Sequence, residues 1–69
     1  MNLKFKTGDL ICDSDFPRRL FLVLGIRVSS LSRTNKPAVR IEYHLLNLAQ
    51  IRTLYEIFEY VEYVFERVK

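Results

Sequence analysis

The sequence predicts an α+β domain, a small antiparallel β-barrel or curled sheet of about four strands with a C-terminal helix. Three observations lead there. Apolar and polar residues alternate in three segments of the first two thirds of the chain, the pattern of half-buried strands. From Leu54 onward the apolar spacing becomes that of a helix. The 69 residues are 49% apolar, with four tyrosines and five phenylalanines against two glycines and two prolines, which is the composition of a packed chain and not of a disordered one.

The first strand is expected over about 3–12. Leu3 and Phe5 alternate with Lys4 and Lys6, and beyond a Thr7-Gly8-Asp9 turn Leu10 and Cys12 alternate with Asp9, Ile11 and Asp13. Asp13-Ser14-Asp15-Phe16-Pro17 reads as a loop, because Asp and Ser bond their own backbone and Pro17 lacks a ladder donor. A second strand follows over about 19–28. It places Leu20, Leu22, Leu24, Ile26 and Val28 on the core face and Arg19, Phe21, Val23, Gly25 and Arg27 on the other. Ser29 to Pro37 is rich in turn formers and is expected to be a polar loop. The clearest strand is the third, about 38–46, where Val39, Ile41, Tyr43 and Leu45 alternate with Arg40, Glu42, His44 and Leu46. Asn47 to Gln50 is placed to reverse the chain. Leu54, Ile57, Phe58, Val61, Val64, Phe65 and Val68 then follow helical spacing, and Thr53 with Glu56 has the form of a capping box. The tyrosines and β-branched residues there also suit a strand, so a last strand over about 51–55 and a helix over about 57–67 are expected.

A chain this short holds one domain, 1–69, with little folding margin and no second cysteine to staple it. Large enzyme architectures are excluded on length alone. The longest apolar run, Leu20 to Ile26, falls far short of the roughly 20 residues that a membrane-spanning helix needs. The N-terminal residues lack the apolar stretch of a secretory signal, and the lone Cys12 suits a reducing compartment. Net charge is +3 and uneven: residues 1–40 carry eight Lys/Arg against three Asp, and residues 41–69 carry three against five Glu.

At Phe5-Lys6-Thr7-Gly8-Asp9-Leu10-Ile11 the sequence resembles the opening of SH3-like small β-barrels, where a lysine-x-glycine-aspartate turn leads into the first strand. The Leu20–Ile26 run, the Tyr43-His44-Leu45-Leu46-Asn47-Leu48 strand end and the Leu54-Tyr55-Glu56 step are similar to short barrel proteins encoded by tailed bacteriophages. The chain departs from that pattern at Ala49-Gln50, where a glycine is usual, and in its longer C-terminal helical stretch. The resemblance implies a binding module with no catalytic residues or cofactor to carry over, working in the host cytoplasm or in a virion.

Reactive chemistry has few carriers. Cys12 and His44 are the only thiol and imidazole, and neither has an orienting third group in the sequence. Asp13-Ser14-Asp15 starts like a calcium loop, but Arg18 stands where glycine is needed and Leu24 where a bidentate glutamate is needed. Gly8 and Gly25 are isolated, so no phosphate-cradling loop is expected. Glu59, Glu62 and Glu66 read as the wet face of the helix.

Two binding functions compete. Arg18, Arg19, Arg27, Arg33, Lys36 and Arg40 form a basic patch for nucleic acid if loops and strand faces converge, with Phe21 or Tyr43 for stacking. Protein binding is favoured, because Ile11, Phe21, Val23 and Leu46 fall opposite the expected core and Tyr55, Tyr60 and Tyr63 lie outside the helix stripe. The expected contact residues are Arg18, Arg19, Phe21, Arg27, Arg33 and Lys36, the partner being a host factor, a virion subunit or a second copy of this chain.

Overall fold

The computed structural model describes residues 2–33 and 36–68, with the side chains of 31–38 outside the described set. Five strands, β1 (Leu10–Asp13), β2 (Leu20–Arg33), β3 (Lys36–Asn47), β4 (Arg52–Ile57) and β5 (Phe65–Arg67), form one open antiparallel sheet in the order β4-β3-β2-β1-β5. A seven-residue helix, α1 (Phe58–Val64), links β4 to β5. The architecture is therefore α+β, as expected, with one strand more than expected.

Short-range chemistry explains the turns. Gly8 takes φ 94°, a conformation costly for any side chain, and the Asp9 carboxylate accepts the Lys6 N–H at 3.0 Å. That turn ends the extended chain, so the first strand starts at Leu10 and not at Leu3. Residues 3–6 pack along the core instead, with Phe5 buried in it and Leu3 against it. The Asp13 carboxylate accepts N–H groups from Asp15 at 2.9 Å and Phe16 at 3.3 Å, which folds the expected loop. Asn47 caps its reversal in the same way through Ala49 and Gln50, and Ile51 supplies the left-handed residue at φ 51°.

The largest correction concerns β2. Phe21 and Val23 are buried, whereas Leu20, Leu22 and Leu24 are half-buried and Ile26 and Val28 are exposed. The register shifts between Val23 and Gly25, a bulge that inserts one residue and reverses the alternation. Phe21 and Val23 face the core before it, and Ile26, opposite Tyr43, takes the core side after it. Ile11, expected on the outer face, is fully buried because it is paired with core-facing Phe21 and so shares its face.

The expected loop at 29–37 is also replaced. Backbone pairing continues from Ser29↔Arg40 to Arg33↔Lys36, and residues 34 and 35 lie outside the described residues. A ladder anchored at the core thus outweighs weak local strand preference. At the other end the helix stops at Val64, because Phe65 turns into the core edge-on to the Phe21 ring and β5 pairs with β1. The capping box does not form: Thr53 and Glu56 sit in β4 opposite Leu46 and Tyr43, and α1 begins without a side-chain cap.

The core comprises Phe5, Ile11, Phe21, Val23, Tyr43, Leu45, Val61 and Phe65, with Leu3, Leu54, Phe58 and Val64 against it. Its polar clamp is Glu62, which accepts the Tyr43 hydroxyl at 2.6 Å and the Lys4 N–H at 2.9 Å, while the Tyr43 hydroxyl accepts the Phe5 N–H at 3.2 Å. Burial, and then the Glu62 carboxylate, push the Tyr43 phenol up to about 12. Glu62 is accordingly a tie between helix, sheet and N-terminal segment and not part of a wet face.

Candidate interaction surface

β2 and β3 run well past their neighbours. β1 pairs with β2 only at Leu10↔Leu22, Ile11↔Phe21 and Cys12↔Leu20, and β4 leaves β3 at Glu42↔Ile57. Residues 28–33 and 36–41 therefore form a two-stranded arm with no third strand on either side among the described residues. An isolated hairpin of this kind is marginal in water. Its base is fixed by Glu42, which is buried and accepts Arg27 Nε at 3.1 Å and Nη2 at 2.9 Å. The Arg27 guanidinium also lies 3.5 Å from the Tyr55 ring centroid, and Tyr55 stacks on His44 at 4.3 Å. This ladder was not foreseen; the only sequence signal for it was a single acid, Glu42, in a strand of cations.

The two faces of the arm differ. On the side continuous with the core, Ile26, Val28 and Val39 are 39%, 65% and 66% exposed, beside half-buried Ile41. The other side begins with Arg27 and Glu42 and continues with exposed Arg40 opposite Ser29. Residues 28–41 contain Arg33, Lys36 and Arg40 and no acid, a charge of +3. The remainder of the chain has eight Lys/Arg and eight Asp/Glu, so the arm carries the whole net charge.

The expected contact residues do not converge. Phe21, expected as a contact residue, is instead 3% exposed in the core, and Tyr43, Ile11 and Val23 are likewise interior. Arg18 and Arg19 are exposed before β2, whereas Arg33 ends it. The fourteen-residue β2 lies between the two groups, roughly 40 Å at about 3.3 Å per residue, so one continuous basic patch cannot include both. Arg27 is engaged by Glu42. Arg33 and Lys36 are register partners at the arm's end, and their side chains lie outside the described residues. Tyr60 and Tyr63 are exposed as expected, on α1.

Cys12 and His44 lie two strands across and four residues along from each other, roughly 16 Å, beyond any proton transfer. Among the described residues no group of three His, Cys, Asp or Glu is placed to hold a metal ion, and no helix is long and apolar enough to cross a membrane. Near the turn at Gly8, the Lys6 N–H and then Arg67, at 3.0 Å, hold the Asp9 carboxyl below its ordinary range. Comparisons of the chain with family models, curated proteins and solved structures found no match.

A notch opens where β4 turns into α1. It is lined by Val39, Arg40 and Ile41 on the arm and Ile57, Phe58 and Glu59 on the other side. Exposed apolar surface, unpaired strand edges and concentrated charge thus meet at one end of the molecule.

Proposed function

We propose that this protein is a non-enzymatic protein-interaction module of the small SH3-like kind that tailed bacteriophages encode, with the β2–β3 arm as its contact element. The partner is a host factor or a virion subunit. The observation that carries the reading is the exposed apolar side of the arm, Ile26, Val28 and Val39, on a ribbon that no other strand supports among the described residues. Such surface is unfavourable in water and favourable against a protein. The SH3-like assignment is supported by the strand order, in which the last strand returns beside the first after a short helix, and by the tight Gly8 turn that leads into β1.

The test is capture from nuclease-treated host lysate by the wild type and by a Val28→Ser/Val39→Ser variant. A protein retained by the first and lost with the second is the expected result. Retention that nuclease abolishes would sink the reading. A second reading, nucleic-acid binding, is favoured by one observation, the +3 charge confined to a two-stranded ribbon, an element that a DNA major groove admits. It requires duplex binding with a slope of log K against log salt of about −3, as expected for three phosphate contacts.

A further inference from the structure

We propose that the free edge of β2, from Ile26 to Ser32, pairs antiparallel with the same edge of a second copy of this chain, joining two arms into one four-stranded sheet. The inference goes beyond the protein-interaction reading and does not depend on it.

The phase of the ladder identifies the free groups. Leu48 N–H donates to the Leu20 carbonyl at 3.2 Å, and β3 stays in step with β4 from Asn47 to Glu42, so the even-numbered residues of β3 face β2. His44, Glu42 and Arg40 therefore bond Gly25, Arg27 and Ser29, and Ile26, Val28, Ser30 and Ser32 turn their N–H and C=O groups the other way. Before the bulge that side is taken, since Val23 N–H donates to the Asp9 carbonyl at 2.9 Å and its carbonyl accepts the Gly8 N–H at 2.8 Å. Beyond the bulge no strand pairs there among the described residues. Residues 26–32 contain no proline or lysine, the residues that guard sheet edges, and their one cation, Arg27, is held by Glu42. At the margin of the sheet β5, by contrast, exposes only three residues of edge.

Symmetry and charge specify the occupant. With a two-fold axis at Ser29, Ile26 meets Ser32 and Val28 meets Ser30 of the other copy, so all four outward residues of each edge find a partner of the same kind. Residues directly opposite each other share a face, so Ile41 and Val28 of one copy form a row with Ser30 and Val39 of the second, and the reverse row lies beside it. The exposed valines of both arms thereby become neighbours. A two-stranded ribbon is marginal in water, whereas four strands with an apolar face supply what it lacks. The antiparallel arrangement also keeps the cations apart. Arg33 falls opposite Gly25 of the second copy, which sets the two basic tips roughly 26 Å apart at about 3.3 Å per residue, well beyond the screening length of about 8 Å. The Arg40 positions stand three strand spacings apart, roughly 14 Å. Each tip rests beside a body whose eight Lys/Arg and eight Asp/Glu cancel.

Sedimentation equilibrium of the whole protein over about 5–500 μM in about 0.15 M salt should show the mass rising from 8.2 kDa toward twice that value. Ser30→Pro removes an outward N–H and leaves every bond to β3 in place, so the dimer dissociation constant should rise about tenfold or more, while Ser30→Ala stays within about threefold. Circular dichroism checks that Ser30→Pro folds. If it does not, Ser30→Lys, which keeps all backbone bonds and sets an ammonium against Val28 of the second copy, should show the same loss. Ser29 faces its own counterpart as a non-bonded pair, the close kind with Cα atoms about 4.5 Å apart, so Ser29→Cys should oxidise to a linked dimer. Thr53→Cys, exposed on β4, should not link. A monomer at the highest concentration, an equally strong dimer in folded Ser30→Pro or in Ser30→Lys, or failure of Ser29→Cys to link overturns pairing through β2. Lysate capture that still depends on the Val28 and Val39 side chains would leave the protein-interaction reading standing after any of these results.

Discussion

Replacing Arg27 with alanine should both destabilise the domain and loosen the arm. Glu42 is 6% exposed and depends on Arg27 for two charge-assisted bonds, its next partner being the Ser29 hydroxyl at a marginal 3.5 Å. Breaking a buried ion pair costs about 3–5 kcal/mol when the remaining charge is enclosed. Arg27 is nearly half exposed, and water entering its vacated place screens the carboxylate, which lowers the expected cost to about 2 kcal/mol. For a domain of this size each kcal/mol shifts Tm by about 4–8 °C, so a fall of roughly 10 °C is expected. Urea denaturation followed by circular dichroism measures the loss, and native-state hydrogen exchange locates it. Amides of 28–33 and 36–41 should exchange faster, with those of Ile11, Val23 and Leu45 changing only with global stability. Adding Glu42→Gln to Arg27→Ala removes the stranded charge and should recover about 1 kcal/mol of the summed single losses. A loss under about 0.5 kcal/mol for Arg27→Ala, or strict additivity in the double variant, would refute the claim that this pair anchors the arm.

The Tyr43 phenol, raised from 10.0 to about 12, favours the fold in its neutral form. Its stabilising contribution is complete below pH 10 and is lost as pH rises through 12, so the wild type should lose stability across that window, and Tyr43→Phe, less stable at neutral pH, should lose less there; parallel curves in an alkaline denaturation series would contradict this. Ile51 holds a left-handed backbone while 74% exposed, so Ile51→Gly should gain about 1 kcal/mol in a urea melt, and a net loss would show that its side chain is needed. Cys12 is buried between Leu20 and Glu66 in the sheet, so alkylation at neutral pH should proceed only as fast as the domain opens; rapid labelling of folded protein would place the thiol elsewhere.

What was legible in the sequence depended on how far each element is decided locally. β3 alternates cleanly between apolar and polar residues, and the Asp13 and Asn47 turns are made by the side chains that announce them. β2 defeated the same logic because Leu20 to Ile26 is apolar on both faces apart from Gly25, so nothing in the run marks Leu24 as the extra residue of a bulge. The helix is shorter than its apolar spacing predicts for a related reason: Phe65 has helical spacing to Val61 and strand preference of its own, and only the waiting edge of β1 decides between them. The candidate surface was the least legible part. Its cations were visible, but whether Arg18 and Arg33 share a patch depends on strand length, and Ser29–Arg33 carries no local sign that pairing will run through it.

The pairing of β5 with β1 also bears on the order of folding. Arg67 meets Asp9 across 58 residues of chain, and Phe65 reaches its place beside Phe21 only through that joint. The β2–β3 ladder needs no such closure, because its partners lie close together in sequence, down to Arg33↔Lys36. A chain folding from extended coil is therefore expected to build the hairpin early and to wait on a long loop closure for its core, which makes the exposed hairpin the first surface offered to any other molecule.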